Sequence, residues 1–143
     1  MAAFNKFNCF VVDLAHGLHD MKTGTAHVYK VFLTNVLPVA TNTVYDIGAP
    51  AEISAGNGYS AGGATIGTIA GSQTSGTFSF SGSTLPVWTA SGGPVGPFEY
   101  AVLYNSTSPT LPLIGWWDYG TAITLTNGNS FTVSLGSPIL TLA

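Results

Sequence analysis

The most constraining feature of this sequence is the series of short apolar or alternating runs between residues 98 and 135. Runs at 98–104, 113–120, 123–126 and 130–135 are separated by segments rich in Pro, Gly, Asn and Ser. Short runs of this kind, bounded by turn residues, are typical of β-strands. Nowhere does the chain keep an apolar stripe of helical period for more than two turns. The region therefore predicts a fold made of short strands.

The Asn-Gly pair at 127–128 gives the sharpest local prediction. An Asn-Gly pair between alternating apolar residues is the strongest short-range signal for a β-hairpin. A two-residue loop would put apolar side chains opposite polar ones, whereas an odd-numbered loop centred on Gly128 puts Leu125 opposite Phe131. A register slip of one residue turns every side chain to the other face, so we predict the odd loop. We expect a three- or five-residue turn with Gly128 at positive φ.

The rest of the chain follows the same pattern. We predict strands at residues 7–12, 28–33, 39–47, 64–70, 77–81, 87–90 and 138–143, and one helical turn at 50–53. At 143 residues the chain is long enough for one domain with its own core. The prediction is a single β domain spanning 1–143, all-β, an antiparallel sandwich or jelly-roll-like fold with little or no helix. A barrel is the alternative.

Two segments carry more specific expectations. Residues 28–33 are apolar on both faces except at Lys30, which favours packing by the core on one side and by a neighbouring subunit on the other. Residues 56–63 form a glycine-rich loop without the Lys-Ser/Thr pair of a phosphate-binding loop. We expect its glycines to adopt positive φ and Tyr59 to anchor it.

Charge and cysteine usage exclude several classes of protein. The chain has three lysines, no arginine and six acidic residues, too few cations to neutralise a phosphate backbone, so no nucleic-acid partner is expected. No apolar run approaches the ~20 residues that cross a bilayer, and the N-terminus lacks the apolar core of a secretory signal, so no membrane partner is expected. Cys9 is the one cysteine, which rules out an internal disulfide, and we interpret it as a buried thiol in a strand.

Residues of the kinds used in catalysis and metal binding are present, but their spacing favours structural roles. His16, His19, Asp20 and His27 lie around a loop that is either a metal site or, as we favour, a polar turn bonded to its own backbone. The carboxylates available for a glycosidase pair are those of Glu52, Glu99 and Asp118. We interpret Asp118 as the anchor of the turn into Gly120. No catalytic, cofactor-binding or metal-binding residue is predicted, and the protein is not expected to be an enzyme.

The aromatic residues allow two interpretations. Trp88, Tyr100, Trp116, Trp117 and Tyr119 would suit a platform on which sugars stack. Tryptophan and tyrosine are equally common in cores and interfaces, which is the interpretation we favour.

Four blocks, at residues 35–44, 52–63, 98–105 and 114–120, together resemble a family of small virion proteins of tailed bacteriophages. The resemblance extends over residues 17–143. It implies a particle component without enzymatic activity, and it carries no catalytic residues with it. The expected role is a capsid cement or decoration protein that binds the major capsid protein at the capsid surface after assembly in the host cytoplasm. A tail or fibre part, or a receptor- or glycan-binding module, is the alternative.

Charged residues make up only 6% of the chain, against roughly 25% in typical soluble domains. Such a chain either covers its surface with uncharged polar residues or buries much of it against other subunits, and we favour burial. We therefore expect a homo-oligomer, specifically a trimer. The residues proposed for its interface are Val28, Phe32, Trp116, Trp117 and Tyr119.

Overall fold

A computed structural model describes residues 2–24, 27–45 and 49–143. Within these ranges it contains one helix and ten strands: β1 (Phe4–Lys6), α1 (Cys9–Ala15), β2 (Tyr29–Thr34), β3 (Ala64–Thr65), β4 (Gly67–Thr74), β5 (Thr77–Thr84), β6 (Val87–Thr89), β7 (Val95–Asn105), β8 (Leu113–Leu125), β9 (Ser130–Thr132) and β10 (Leu140–Leu142). The strands pair antiparallel. The predicted all-β class with little helix is confirmed.

The largest sheet has five strands in the order β1-β8-β7-β2-β3. The 11-residue β7 and the 13-residue β8 form its long central pair. β2 pairs with β7 along its whole length, from Tyr29 opposite Asn105 to Thr34 opposite Tyr100. This register places the end of β7 beside the start of β2, where two polar loops meet the sheet.

A three-stranded sheet, β10-β5-β4, and a two-stranded sheet, β6-β9, contribute the other side of the main core. Tyr29 of β2 packs edge-on against Phe80 of β5, with ring centroids 5.1 Å apart. Trp88 of β6 belongs to the same apolar cluster. Sheets that share one apolar interior in this way form a sandwich, as predicted.

β2 and β7 bury both of their faces within the same chain. Val31 and Leu33 belong to the main core, while Phe32 lies on the opposite face in a second cluster with Phe7 and Val102. That second cluster is covered by side chains from α1, from β8 and from the connecting loops, namely Cys9, Trp116, Tyr45 and Leu111. The double-sided apolar pattern of residues 28–33 therefore reflects cover by the chain itself, and the neighbouring subunit expected there is not needed.

Residues 123–135 do not form the predicted hairpin. The chain does turn at 126–129, where Gly128 has a φ of +90°. Beyond the turn, however, β9 pairs with β6, which places Phe131 opposite Trp88, so the predicted pairing of Leu125 with Phe131 is wrong. The ring of Phe131 packs against Phe98, 4.9 Å away between centroids, so β9 crosses to the two-stranded sheet instead of continuing the β8 ladder.

The strand predicted at residues 7–12 is also wrong, because α1 starts at Cys9. Only Phe10 is fully buried in this helix, and Leu14, one turn later, packs against the main core. Cys9 is half-buried in the helix, not in a strand, and its Sγ lies 3.5 Å from the carbonyl oxygen of Leu113. Burial, reinforced by the charge of Asp13, raises the pKa of the Cys9 thiol to about 11. The thiol is therefore protonated at neutral pH.

Two further predictions fail around residue 45. Among residues 39–45, Val44 forms a single bridge to Pro112 instead of a strand, and 46–47 lie outside the described residues. Asn42 closes a tight turn there, because its side-chain oxygen accepts a hydrogen bond from the backbone N–H of Val39 at 2.9 Å. The helical turn predicted at 50–53 is an extended segment, in which Glu52 bridges to Thr34 of β2.

Other predictions are confirmed. Strands occupy the predicted regions near residues 77–81, 87–90, 98–104 and 113–120, and the apolar C-terminal run pairs with β5 as β10. The segment 64–70 is divided between β3 and β4. In the glycine-rich loop, Gly56, Gly58, Gly62 and Gly63 all have positive φ, and Tyr59 is buried, as expected.

Candidate functional site

Asn105, fully buried at the end of β7, fastens the loop that follows α1 to the large sheet. Its Nδ2 donates a hydrogen bond to the carbonyl oxygen of Leu18 at 2.9 Å. The same Nδ2 lies 2.9 Å from Nδ1 of His27 and 3.3 Å from Nδ1 of His19. We call these four residues the Asn105 clamp.

The orientation of the Asn105 amide is fixed by its other end. Oδ1 accepts hydrogen bonds from the backbone N–H groups of Thr107 and Ser108, at 3.0 and 3.2 Å. Because both of these partners can only donate, the amide nitrogen must face the two imidazole rings. Nδ1 of His27 is then an acceptor, and it also accepts from the backbone N–H of Asp20 at 3.3 Å.

His19 is the member of the Asn105 clamp that has a buried polar atom without a partner. Its side chain is 6% exposed, and its Nε2 has no hydrogen-bond partner among the described residues. Burial, followed by the charge of His27, lowers the pKa of His19 to about 4. His19 is therefore neutral at pH 7, and its buried Nε2 is unsatisfied in either tautomer.

Of the four residues considered for a metal site, His19 and His27 meet at Asn105, but His16 and Asp20 do not complete a ligand set with them. Asp20 forms an ion pair with Lys22, with 3.0 Å between Oδ2 and Nζ, and His16 is exposed at the end of α1. No group of three or more His, Cys, Asp or Glu side chains able to hold a metal ion occurs in the part of the chain that the structure describes. The loop bonds its own backbone instead, since the Lys22 N–H donates to Asp20 Oδ1 at 3.3 Å.

Glu52 fastens the glycine-rich loop. Its Oε1 accepts hydrogen bonds from the Tyr59 hydroxyl at 2.6 Å and from the Gly62 N–H at 2.8 Å, and its Oε2 accepts one from the Tyr45 hydroxyl at 2.6 Å. The Tyr104 hydroxyl donates to the carbonyl oxygen of Gly62 at 2.9 Å. We call these five residues the Glu52 clamp. Burial and the hydrogen bond to Glu52 raise the pKa of Tyr59 well above its ordinary value.

Of the three candidate carboxylates, Glu52 lies in the glycine-rich loop's clamp, while Glu99 and Asp118 both lie near Tyr100. Both oxygens of Glu52 are occupied by the bonds just described. Asp118 accepts a hydrogen bond from the Gly120 N–H at 2.7 Å, which confirms its predicted role as a turn anchor. Glu99 is half-buried on β7. For Glu52 and Asp118 the structure thus shows carboxylates that hold backbone.

The aromatic residues do not form one platform. Trp116 and Trp117 are consecutive on β8, so their rings lie on opposite faces of the sheet. Trp117 is buried in the main core, whereas Trp116 packs on the second cluster. Trp88 and Tyr100 are buried as well, and Tyr119 is half-buried. The geometry favours the interpretation of these side chains as core.

The five residues expected at an interface are divided by their burial. Phe32 and Trp117 belong to the interior of the chain, with exposed fractions of 0% and 1%. Val28 is exposed, while Trp116 and Tyr119 are half-buried. Only the last three offer surface to a partner, so their place in an interface stays a prediction.

A different group of side chains forms an apolar surface that sequence reasoning missed. We call it the apolar face, and its five members are aliphatic and exposed: Val11 and Val12 on α1, and Val36, Leu37 and Val39 in the loop after β2. Leu37 is the most exposed of them, at 60%.

Hydrogen bonds hold the two parts of the apolar face together. The backbone N–H of Asn8, at the start of α1, donates to the carbonyl oxygen of Ala40 at 2.9 Å. In the loop, the N–H of Val36 donates to the Thr34 hydroxyl at 3.0 Å, and Pro38 is buried. The Asn8–Ala40 bond joins the loop to the start of the helix, the Val36–Thr34 bond is local to the loop, and the five aliphatic side chains are exposed.

The sequence contained one signal for this surface. Residues 36–39 read Val-Leu-Pro-Val directly after a buried strand, and proline ends regular pairing there. An apolar run that cannot continue a strand either turns back into the core or remains at the surface. In this run only Pro38 is buried, and Val36, Leu37 and Val39 remain at the surface.

Comparisons with known proteins return no relatives. No family model matches the chain, and neither a curated protein nor a solved structure matches it. Among the described residues there is no helix with the length and hydropathy needed to cross a membrane.

Proposed function

We propose that this protein is a structural component of a tailed-bacteriophage particle, a capsid cement or decoration protein that binds the major capsid protein at the capsid surface. The observation that carries the proposal is the apolar face, which is exposed in a chain that has only three basic and six acidic residues. The resemblance of four sequence blocks to small virion proteins gives the proposed partner its identity.

The apolar face suits docking onto a rigid lattice. Contiguous apolar patches on a soluble protein commonly mark a surface that another protein covers. Here the two contributing segments are already fixed by the Asn8–Ala40 hydrogen bond, so little conformational entropy is lost on binding.

The use made of the polar side chains supports a structural role. Glu52 and Asn105 each form several hydrogen bonds. Their polar atoms bond to loop backbone, tyrosine hydroxyls and histidine rings. Residues arranged in this way rigidify a surface, and a rigid surface suits a protein that strengthens a shell.

Rebinding to stripped particles tests the proposal. Phage particles freed of the protein are mixed with the wild type, with Leu37→Asp or with Val87→Asp, and bound copies are measured by gel against the major capsid protein. Val87 is exposed on β6, outside the apolar face, and serves as the matched control. We expect full rebinding of the wild type and the control, and at least tenfold weaker rebinding of the Leu37 variant.

Thermal stability gives the second readout. A protein that binds assembled but not dispersed shell subunits stabilises the shell by mass action. Stripped particles should therefore release their genome at a lower temperature, and the wild type should restore the original temperature. Equal release temperatures with and without the protein would contradict the cement role.

Self-association belongs to the same proposal. We propose a trimer for the free protein, with Val28 at the subunit contact because it is the most exposed of the expected interface residues. Light scattering at micromolar concentration gives the mass directly, and a monomer of 14.7 kDa would leave the shell as the partner.

A further inference from the structure

A groove separates two strands that each end a sheet. β1 is the last strand of the five-stranded sheet and β10 is the last strand of the three-stranded sheet. The groove between them has a volume of about 440 Å³. Its lining includes Phe4 and Lys6 of β1, Phe10 of α1, and the run 138–142 that contains β10.

β10 offers this groove an unpaired edge. Within the described residues β10 pairs with β5 on one side, and no strand follows it on the other. The free edge of a strand presents backbone N–H and C=O groups that can pair with another chain. Leu140 and Leu142 lie on one face of β10, with Thr141 exposed between them.

The opposite edge of the same sheet is capped by a side chain at one residue. On β4, the N–H of Gly71 donates to the Thr23 hydroxyl at 3.2 Å, and that hydroxyl donates to the Gly71 carbonyl at 3.1 Å. One side chain thus occupies both outward backbone groups of Gly71. The contrast matters because no side chain of the described residues is bonded to the outward backbone groups of β10, and the strand itself contains no charged residue and no proline.

The chemistry of the groove is apolar with one cation. The aromatic rings of Phe4 and Phe10 and the aliphatic chains of Ile139, Leu140 and Leu142 line it. Lys6 is exposed and forms no ion pair in the described residues, unlike Lys22, which pairs with Asp20. Phe4 and Lys6 lie two residues apart on β1 and so share a face.

We propose that this groove binds an extended apolar segment of another polypeptide, which adds to β10 as a further strand and carries an acidic side chain aligned with Lys6. Backbone pairing along β10 supplies affinity, and alternate side chains of the segment pack onto Phe4 and Leu142, which are the partly exposed apolar residues of the lining. The carboxylate opposite Lys6 sets the register. This site goes beyond the proposed attachment through the apolar face, since it shares no residue with it.

Titration with short peptides tests the site without any phage particle, so its outcome is independent of the shell-binding proposal. The probe is acetyl-Val-Thr-Val-Asp-Val-amide, added to ¹⁵N-labelled full-length protein to about 1 mM, the range in which a single short strand binds. We expect amide shifts confined to β1, β10 and the residues beside them.

Two matched peptides distinguish strand addition from nonspecific hydrophobic binding. A peptide with Lys in place of Asp should bind at least fivefold more weakly, and one with N-methylated valines should produce no shifts because it cannot pair with β10. Shifts elsewhere, or equal binding of the N-methylated peptide, would overturn the proposal.

Variants of the protein give the reciprocal control. Lys6→Gln should weaken binding of the Asp peptide by about the same factor that separates the Lys peptide from the Asp peptide on the wild-type protein. Lys22→Gln should leave binding of the Asp peptide unchanged. Both lysines are exposed, so neither substitution disturbs the core. Equal effects of the two substitutions would overturn the assigned role of Lys6.

Discussion

Two loops of this protein are each fastened by one side chain, and the two clamps satisfy their polar groups to different degrees. In the Glu52 clamp, a carboxylate accepts hydrogen bonds from two tyrosine hydroxyls and one backbone N–H, at 2.6, 2.6 and 2.8 Å. In the Asn105 clamp, one amide nitrogen with two hydrogens faces three acceptors at 2.9–3.3 Å.

The difference follows from donor and acceptor numbers. A carboxylate has about four acceptor positions, so it can receive all of its donors at once, and charge-assisted bonds are short and strong. The amide of Asn105 cannot serve three acceptors fully, and His19 Nε2 is left without any partner. The glycine-rich loop is therefore firmly held. The loop after α1 is held by incompletely satisfied hydrogen bonds, which protonation of His19 can disturb.

The largest effect should come from filling the space behind the firmly held loop. Gly63 has a φ of +71°, and a Cβ there would lie 1.9 Å from the carbonyl oxygen of Val31 on β2. Gly63→Ala should cost about 4 kcal/mol in the free energy of unfolding, from backbone strain and from displacement of the loop. Urea unfolding measures the loss.

Gly76→Ala is the matched control for that experiment. Gly76 also has positive φ, +85°, but a Cβ there has nothing within 4 Å. It should lose only the strain, about 1 kcal/mol. Equal losses at the two positions would mean that the loop is not held tightly against β2.

Removal of the Asn105 side chain should have the next largest effect. Asn105→Ala leaves Leu18 O and the backbone N–H groups of Thr107 and Ser108 without their partner, in places that are partly or fully buried. Each unsatisfied group costs about 1–3 kcal/mol, partly recovered by water, so we expect a total of about 3 kcal/mol. Asn129→Ala, which removes one exposed bond to Thr126, should cost under ~1 kcal/mol.

The clamps also show what the sequence could and could not predict. Alternation and turn residues predicted the all-β class, the strands near 77–104 and the roles of Tyr59 and Asp118, because these depend on local chemistry. Glu52 and Asn105 gave no local signal of their importance. Asn105 bonds to Leu18, 87 residues away in the sequence, a contact that only the β2–β7 register creates.

The failed predictions have a related cause. Residues 7–12 contain enough apolar residues for a strand, yet a short helix begins at Cys9, which buries Phe10 and Leu14 against the main core and places Cys9 on the second cluster. At residues 130–132 the alternation fixed which side chains point inward but not which strand is the partner. Phe131 therefore meets Trp88 across the β6–β9 ladder instead of Leu125.

Acidification should weaken the Asn105 clamp selectively. The pKa of His19 is lowered to about 4 in the folded chain, below its ordinary value of about 6.5, so the unfolded chain binds the proton first. Its contribution to stability is complete above pH 6.5 and is lost as the pH falls toward 4. The expected loss between pH 7.5 and pH 5 is about 2 kcal/mol.

His19→Gln separates this effect from the titration of carboxylates. The variant lacks the group that titrates, so its stability should fall by about 2 kcal/mol less than that of the wild type over the same pH interval. Urea midpoints at pH 7.5 and pH 5 give both values. Parallel pH profiles would show that the His19 proton does not govern this loop.

The smallest effect should come from one hydroxyl of the firmly held loop. Tyr104→Phe removes the bond to the Gly62 carbonyl but keeps the ring, which stacks on Tyr45 with centroids 4.7 Å apart. We expect a loss of about 1 kcal/mol, because one buried acceptor is left unpaired while the packing persists. Burial raises the pKa of Tyr104 to about 12, so the loss should be constant from pH 5 to pH 9.

Amide hydrogen exchange then tests whether the two clamps act separately. In Tyr104→Phe, exchange of Gly62 and Gly63 should accelerate, while exchange in the loop after α1 should not change, because no residue of the Glu52 clamp contacts Leu18 or His19 through a hydrogen bond among the described residues. In Asn105→Ala the pattern should reverse. If either substitution accelerates exchange in both loops, the two loops open together as one cooperative unit joined through β2 and β7. The clamps would then differ in hydrogen bonding but not in the local stability of their loops.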